Sequence, residues 1–253
     1  MTDLSKSPAK IAGMFDAIAG RYDLLNHLLS AGIDRRWRRR AIRSLQLTGG
    51  ERMLDLCTGT GDLAIAAVLA RPAAARVVGV DFSGAMLRVG AGKLRRDRLD
   101  SRVSMVQGDA TRIPLAGASV DAVTIGFGIR NVERMDLACA ELRRVLKPGG
   151  RLAILEFAVP TMPVFGAFYA WYTNRVLPRI GRALSRNDSA YAYLPASISA
   201  FATPDEFVKI LRQAGFTKIS PTRLMLGSVI LYTARRDEEP GTMITDQGLG
   251  IIP

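Results

Sequence analysis

Only two cysteines, Cys57 and Cys139, occur in the 253 residues. That scarcity excludes a disulfide framework and a zinc cluster, and it fits a reducing compartment. Long apolar runs are also missing. The longest, around residues 159–172, is broken by Pro160, Pro163 and Gly166 and is too short to span a bilayer. The polar first ten residues have no signal-peptide core, so a cytoplasmic location is expected, if need be at the inner face of the membrane. No internal repeat is present.

Acidic residues are outnumbered, 23 against 35 Lys and Arg, for a formal net charge of +12. Runs such as Asp34–Arg40 and Lys93–Arg96 suit nucleic acid or an anionic membrane, although arginine-rich composition alone produces the same balance. The chain has no Asn/Asp-Pro-Pro-Tyr motif for an extruded base and no separate basic domain, so no nucleic-acid partner is expected. With 48% apolar and 23% charged residues, it reads as an ordinary globular chain. Its length suits one domain over residues 1–235, with insertions, followed by a loose tail over 236–253.

Apolar residues at helical spacing from Ile11 to Ile42, with turns at Gly20 and Gly32, predict two or three helices, a cap over residues 9–46. Strands and helices then alternate through a core over 50–157. They are strand Arg52–Leu56, helix Asp62–Ala70, strand Arg76–Asp81, helix Ser83–Arg98, strands Val103–Gln107 and Val120–Phe127, helix Met135–Leu146 and strand Arg151–Phe157. This alternation gives an α/β class, a doubly wound and mostly parallel sheet. Ser83 caps one helix, and Lys147-Pro148-Gly149-Gly150 is expected to end another. Residues 161–201 break the rhythm with Phe165, Phe168, Tyr169, Trp171, Tyr172, Tyr191 and Tyr193, and read as a helical insertion covering an apolar ligand. Thr203-Pro204-Asp205-Glu206 starts a helix that ends at Gly215, and Phe216–Thr222 and Ser228–Ala234 form an antiparallel hairpin at one sheet edge.

The chemistry concentrates between Met53 and Asp81. A strand ends at Asp55, the turn Gly59-Thr60-Gly61 follows, a helix begins at Asp62, and Asp81 closes the next strand. Glycines between strand and helix let a ligand approach the backbone, and the helix N-terminus presents free N–H groups. Asp81 stands where an acid binds the ribose hydroxyls of an adenosine. The turn alone is equally compatible with a dinucleotide. Asp55 and Asp62 argue against one: carboxylates at that mouth repel pyrophosphate and attract a cation. S-adenosylmethionine is the adenosine cofactor that carries positive charge and no phosphate. Asp109 and Ala110, after the third strand, suit its adenine; Asp121 reads as a capping or pairing residue. No Tyr-x-x-x-Lys pair supports hydride transfer, and no metal is expected.

Two stretches then narrow the reading. Tyr22–Trp37 (YDLLNHLLSAGIDRRW) and Arg144–Phe157 (RVLKPGGRLAILEF) resemble the two signatures of the ubiquinone/menaquinone biosynthesis C-methyltransferases. Phe127–Val132, Val176–Gly181 and Tyr193–Ile198 fit that family in order and spacing, so the resemblance runs from about Met14 to Thr233. Departures stand at Leu25, Asp34, Cys57, Gly126 and Ala158; at Gly126 a side-chain contact to the cofactor is lost, leaving only backbone.

The resemblance implies methyl transfer to a ring carbon of a polyprenylated hydroquinone such as demethylmenaquinol. Ring carbon is a poor nucleophile until the adjacent phenol ionises, so the site must stabilise a phenolate. Arg130 is the expected cation, with Asn131 and Tyr22 orienting the ring hydroxyl. The ring proton must then leave, to a base or to water held by Tyr22 or Asp23. His27, the sole histidine, lies in an amphipathic helix and reads as a packing or surface residue. Glu156 reads equally as an arginine partner or a site residue. Basic residues of the first helices would hold the protein on anionic lipid, each contributing about 1 kcal/mol. A homodimer is compatible with this reading. A benzoquinol or another lipid or phenol as acceptor, and a non-catalytic scaffold of a quinone-synthesis assembly, are the alternatives.

Overall fold

The β/α alternation closes into one sheet. In the computed structural model, which describes residues 6–30, 32–70, 76–160, 162, 166, 175 and 188–238, helices α1 (Pro8–Ile18), α2 (Tyr22–Leu29) and α3 (Asp34–Ser44) precede the sheet. The core follows as β1 (Arg52–Leu56), α4 (Asp62–Ala70), β2 (Arg76–Asp81), α5 (Gly84–Arg96), β3 (Val103–Gln107), β4 (Val120–Gly126), α6 (Met135–Val145) and β5 (Leu146–Phe157). Then come α7 (Asp188–Ser199), α8 (Pro204–Gln213), β6 (Phe216–Leu224) and β7 (Val229–Arg236).

The strand order is β3-β2-β1-β4-β5-β7-β6. The first five strands are parallel, and β7 runs antiparallel to β5 and β6. Because β1 leads outward to β2 and β3 while β4 lies on its other side, the connections diverge at the carboxyl ends of β1 and β4. A crevice opens there in sheets of this kind.

Both faces of the sheet are covered, so successive strand residues feed opposite cores. Leu54, Leu56, Val123, Ile125, Leu152 and Ile154 pack under α6 and α8 with Leu142 and Phe207. Met53, Ala122, Ala153 and Leu155 pack under α3, α4 and α5 with Ile42, Leu63, Ala67 and Leu94. Cys139 is fully buried on the first side, and burial pushes its thiol up to about 12, leaving it a small apolar residue.

The helix-start signals hold. Ser83 Oγ accepts from Met86 N, and Thr203 and Glu206 form a reciprocal capping box with Pro204 at the first helical position. The Lys147–Gly150 signal reads differently in three dimensions. α6 ends at Val145 and β5 begins at once; Val120 pairs with Leu146 and Ala122 with Arg151, so residues 147–150 bulge out of the ladder. Gly149, at φ +74°, supplies the backbone this bulge needs. Of the aromatic insertion, Phe165, Phe168, Tyr169, Trp171 and Tyr172 lie outside the described residues, as do 239–253 of the tail.

Candidate functional site

The β1–α4 turn is held by the strand beside it. Gly59 N–H donates to Asp81 Oδ2 at 2.8 Å, and Ser83 N–H donates to Asp81 Oδ1 at 2.8 Å. Gly59 (φ +56°) and Gly61 (φ +83°) both occupy the left-handed region. A Cβ on Gly61 would lie 2.4 Å from Met105 Cε, so a side chain there would have to displace the end of Met105 as well as take a strained positive φ. Cys57 also takes a positive φ, +54°, an uncommon conformation for a residue with a side chain. Gly128 leaves room for it, since a Cβ there would fall 2.3 Å from Cys57 Cβ.

These elements enclose one cavity over the switch point. Its floor is Cys57, Gly59 and Gly126; its acidic wall is Asp81 and Asp109, at the ends of β2 and β3, with Ala110 beside them. Met86 and Val80 give that wall an apolar surface. Burial raises the Asp81 carboxyl above its ordinary value, and burial likewise pushes the Cys57 thiol well up, keeping it neutral. Asp109 Oδ1 accepts from Thr111 N at 2.7 Å and Thr111 Oγ1 at 2.8 Å, which fixes the loop after β3. A cradle of glycine backbone, two carboxylates and a buried alanine fits an adenosine that carries positive charge.

The carboxylates that suggested the cation are themselves differently employed. Asp55 is buried to 1% exposure and does not line the cavity. Its Oδ2 accepts from Thr58 Oγ1 (2.6 Å) and Ala64 N (3.2 Å), and its Oδ1 from Thr124 Oγ1 (2.7 Å). Both oxygens fasten β1 to α4 and β4, so direct attraction of a bound cation is not its role. Asp62 is paired with Lys93 and, at 3.1 Å, with Arg38, and these cations lower its pKa against the opposing effect of burial. Its charge is neutralised within the protein. Thr60 also turns away from the cavity: its hydroxyl donates to Asp23 Oδ1 at 2.5 Å and accepts from Lys93 Nζ at 3.2 Å. Asp23 is thereby committed as well.

The N-terminal helices close the cavity from above, through Ile11, Ala12, Phe15 and Tyr22. Asp16, which the sequence did not single out, anchors α1: its Oδ1 accepts from Ser83 Oγ at 2.5 Å and Ala85 N at 3.2 Å, at the start of α5. Phe15 meets Tyr22 edge-on at 6.1 Å. Burial raises the Tyr22 pKa, so its hydroxyl stays protonated and able to donate. His27 Nδ1 lies 3.2 Å from Asp34 Oδ2 and stands outside the cavity, a structural partner as expected. Asp121 is likewise structural, accepting from Arg52 N and pairing with Lys147 at 2.6 Å.

Arg130 does not reach the cavity. Its Nη1 donates to Glu156 Oε1 at 2.8 Å and to the Phe127 carbonyl, its Nε to Ser197 Oγ at 3.4 Å, and its backbone N–H to Glu156 Oε2 at 3.1 Å. The guanidinium also stands 5.4 Å from the Phe157 ring centroid. With Glu156 fully buried beneath it, this is an internal ion pair, and the expectation that Arg130 faces a phenolate is corrected. Asn131 does line the cavity, and Tyr193 O–H, from α7, donates to its Oδ1 at 3.1 Å. The structure therefore brings Tyr22, Asn131, Gly59, Asp81, Asp109, Ala110 and Gly126 together, and leaves Asp55, Thr60 and Arg130 as the frame behind them. Lys6, ahead of α1, joins the lining; nothing in its polar surroundings had marked it.

The model of the ubiE/COQ5 methyltransferase family matches residues 1–236. The chain is 48% identical over 223 residues to the ubiquinone/menaquinone biosynthesis C-methyltransferase UbiE of Syntrophotalea carbinolica, covering 88% of this chain and 92% of that one. It is 39% identical over 231 residues to the demethylmenaquinone methyltransferase of Bacteroides fragilis, covering 91% and 94%. Among solved structures, a SAM-dependent methyltransferase from Aquifex aeolicus superposes with a TM-score of 0.60 at 17% identity over 91% of this chain and 98% of that one, a likeness of fold.

Proposed function

The chain belongs to the ubiE/COQ5 methyltransferase family, and on that premise we propose that it methylates a ring carbon of a polyprenylated hydroquinone, demethylmenaquinol first. S-adenosylmethionine-dependent C-methylation is its chemistry. Support for the acceptor comes from relatives named for menaquinone and from one continuous cavity, in which the acidic adenosine wall and the polar Tyr22–Asn131 pair face the same space. A benzoquinol is the second reading, favoured by the relatives named for both quinones.

Bound in this cradle, S-adenosylmethionine supplies an electrophilic methyl group on a sulfonium. The Asp81 carboxylate holds the ribose hydroxyls while its two backbone donors keep the turn in place. Asp109 and Ala110 hold the adenine end. Tyr193 donates to Asn131 Oδ1, so the Asn131 amide is oriented with its NH₂ left as a donor, the polarity a ring oxygen requires. Tyr22 adds a second donor. Arg130 acts as a positioning residue: through Glu156 and the Phe127 carbonyl it fixes the short helical turn Ile129–Asn131 on which Asn131 sits. Holding the carbon in line with the methyl group is worth several kcal/mol, on the order of 7 or more.

A prenylated acceptor resides in lipid, and no helix among the described residues is long and apolar enough to cross a membrane. Because its acceptor resides in lipid, the enzyme works from the cytoplasm at the membrane surface, held there by its positive charge. Supplying purified protein with reduced demethylmenaquinol and methyl-labelled donor tests the function. A labelled, once-methylated naphthoquinol is expected; labelling of a benzoquinol alone would transfer the assignment to the second reading.

A further inference from the structure

A phenolate needs a cation, and Arg130, the residue expected to provide it, is spent on Glu156. The neighbouring cations are committed too. Lys93 pairs with Asp23 and Asp62, Arg38 with Asp34 and Asp62, and Arg134, on the cavity rim, with Asp136 at 2.7 Å. Lys6 is the exception. It lines the same cavity as Tyr22 and Asn131, is partly buried, and its amine has no hydrogen bond or ion pair among the described residues.

We propose that the Lys6 ammonium binds the ring oxygen of the acceptor and stabilises its phenolate during methyl transfer, an assignment that rests on the hydroquinone reading above. The groups that face Lys6 are the Arg130–Glu156 pair behind the wall, and Tyr22, Glu133 and Arg134 around the same cavity. Burial, then Arg130, lowers the lysine pKa, opposed by Glu156. A more acidic ammonium is a stronger hydrogen-bond donor to a developing oxyanion. The phenol proton passes to solvent, and the oxygen lone pair raises electron density at the adjacent ring carbon. That carbon's electron pair forms the new C–CH₃ bond as the S–CH₃ bond breaks with its pair left on sulfur. The ring proton then leaves to water, and aromaticity returns with the C–H pair.

The test is a comparison of Lys6→Met and Lys6→Arg with the wild-type chain, each assayed for donor affinity by calorimetry and for turnover across pH with reduced demethylmenaquinol. Lys6→Met is expected to bind the donor unchanged and to lose kcat on the order of 100-fold near neutral pH. The deficit should shrink toward alkaline pH, where the phenol ionises unaided. Lys6→Arg, still charged, should recover most of the rate. Wild-type turnover by Lys6→Met, a deficit constant with pH, or Lys6→Arg as slow as Lys6→Met would each overturn the assignment. If the wild-type chain methylates no hydroquinone at all, the functional reading itself fails, and the two failures are distinct.

Discussion

Asp55 shows how far burial can change what a residue does. Its carboxyl is pushed up to about 6, chiefly by burial, although Thr58, Thr124 and Ala64 all donate to it and pull the other way. A folded pKa above the unfolded value means the fold prefers the protonated acid. The resulting stability is complete below the unfolded pKa and is lost as pH rises through the folded one. Above that window the buried charge costs about 3 kcal/mol relative to the unfolded chain. Asp55→Asn keeps an acceptor toward Thr58 and Ala64 and turns its amide toward the Thr124 hydroxyl, which can accept. Between about pH 4 and 7, the stability of Asp55→Asn relative to wild type should move by about 3 kcal/mol in the variant's favour. Urea midpoints measure this, and a difference that stays constant with pH would refute it. From sequence, Asp55 read as a cation site because a strand end near a glycine turn is normally open to the ligand. In a sheet covered on both faces even the acid at the strand end is enclosed, and only the tertiary positions of Thr124 and Ala64 reveal it. Arg130 was misread for a related reason, since Glu156 pairs with it across 26 residues of chain.

At the scale of elements, α1 covers the cavity, and Asp16 fastens it to the start of α5. Asp16 receives the Ser83 hydroxyl and the Ala85 N–H, so a side chain from α1 caps the helix that follows Asp81. If that contact seats α1 over the cavity, losing it should weaken donor binding. Asp16→Ala should weaken donor affinity about fivefold, the equivalent of one lost cap, with kcat little altered. Unchanged affinity by calorimetry would show that α1 closes without this anchor. The parallel core was legible in the sequence because strand and helix periods alternate cleanly from Arg52 to Phe157, and Ser83, Thr203 and the glycines mark the ends. Long-range partners such as Asp16–Ser83 and Tyr193–Asn131 leave no periodic trace. Lys6 was hidden for the same reason: a lysine in a polar terminus carries no signal until α1 folds over the crevice.

The whole molecule carries a formal net charge of +12, and the structure divides that charge into two uses. Part of it is internal: Arg38 and Lys93 bind Asp34, Asp62 and Asp23, tying α2, α3, α4 and α5 together. Other basic residues face outward, with Arg35, Arg36, Arg39, Arg40 and Arg43 exposed on α3. That outer charge should bind the protein to vesicles containing anionic lipid, and binding should fall steeply as salt is raised. Equal binding to neutral vesicles in a sedimentation assay would contradict an electrostatic hold. The most direct test of the central claim compares the two oxidation states of one acceptor. Given the same donor and the same demethylated naphthoquinone, the enzyme should yield ring-methylated product from the reduced hydroquinone and almost none from the oxidised quinone, which has no phenol to ionise. Equal product from both states, or none from the reduced one, would contradict phenolate-driven carbon methylation.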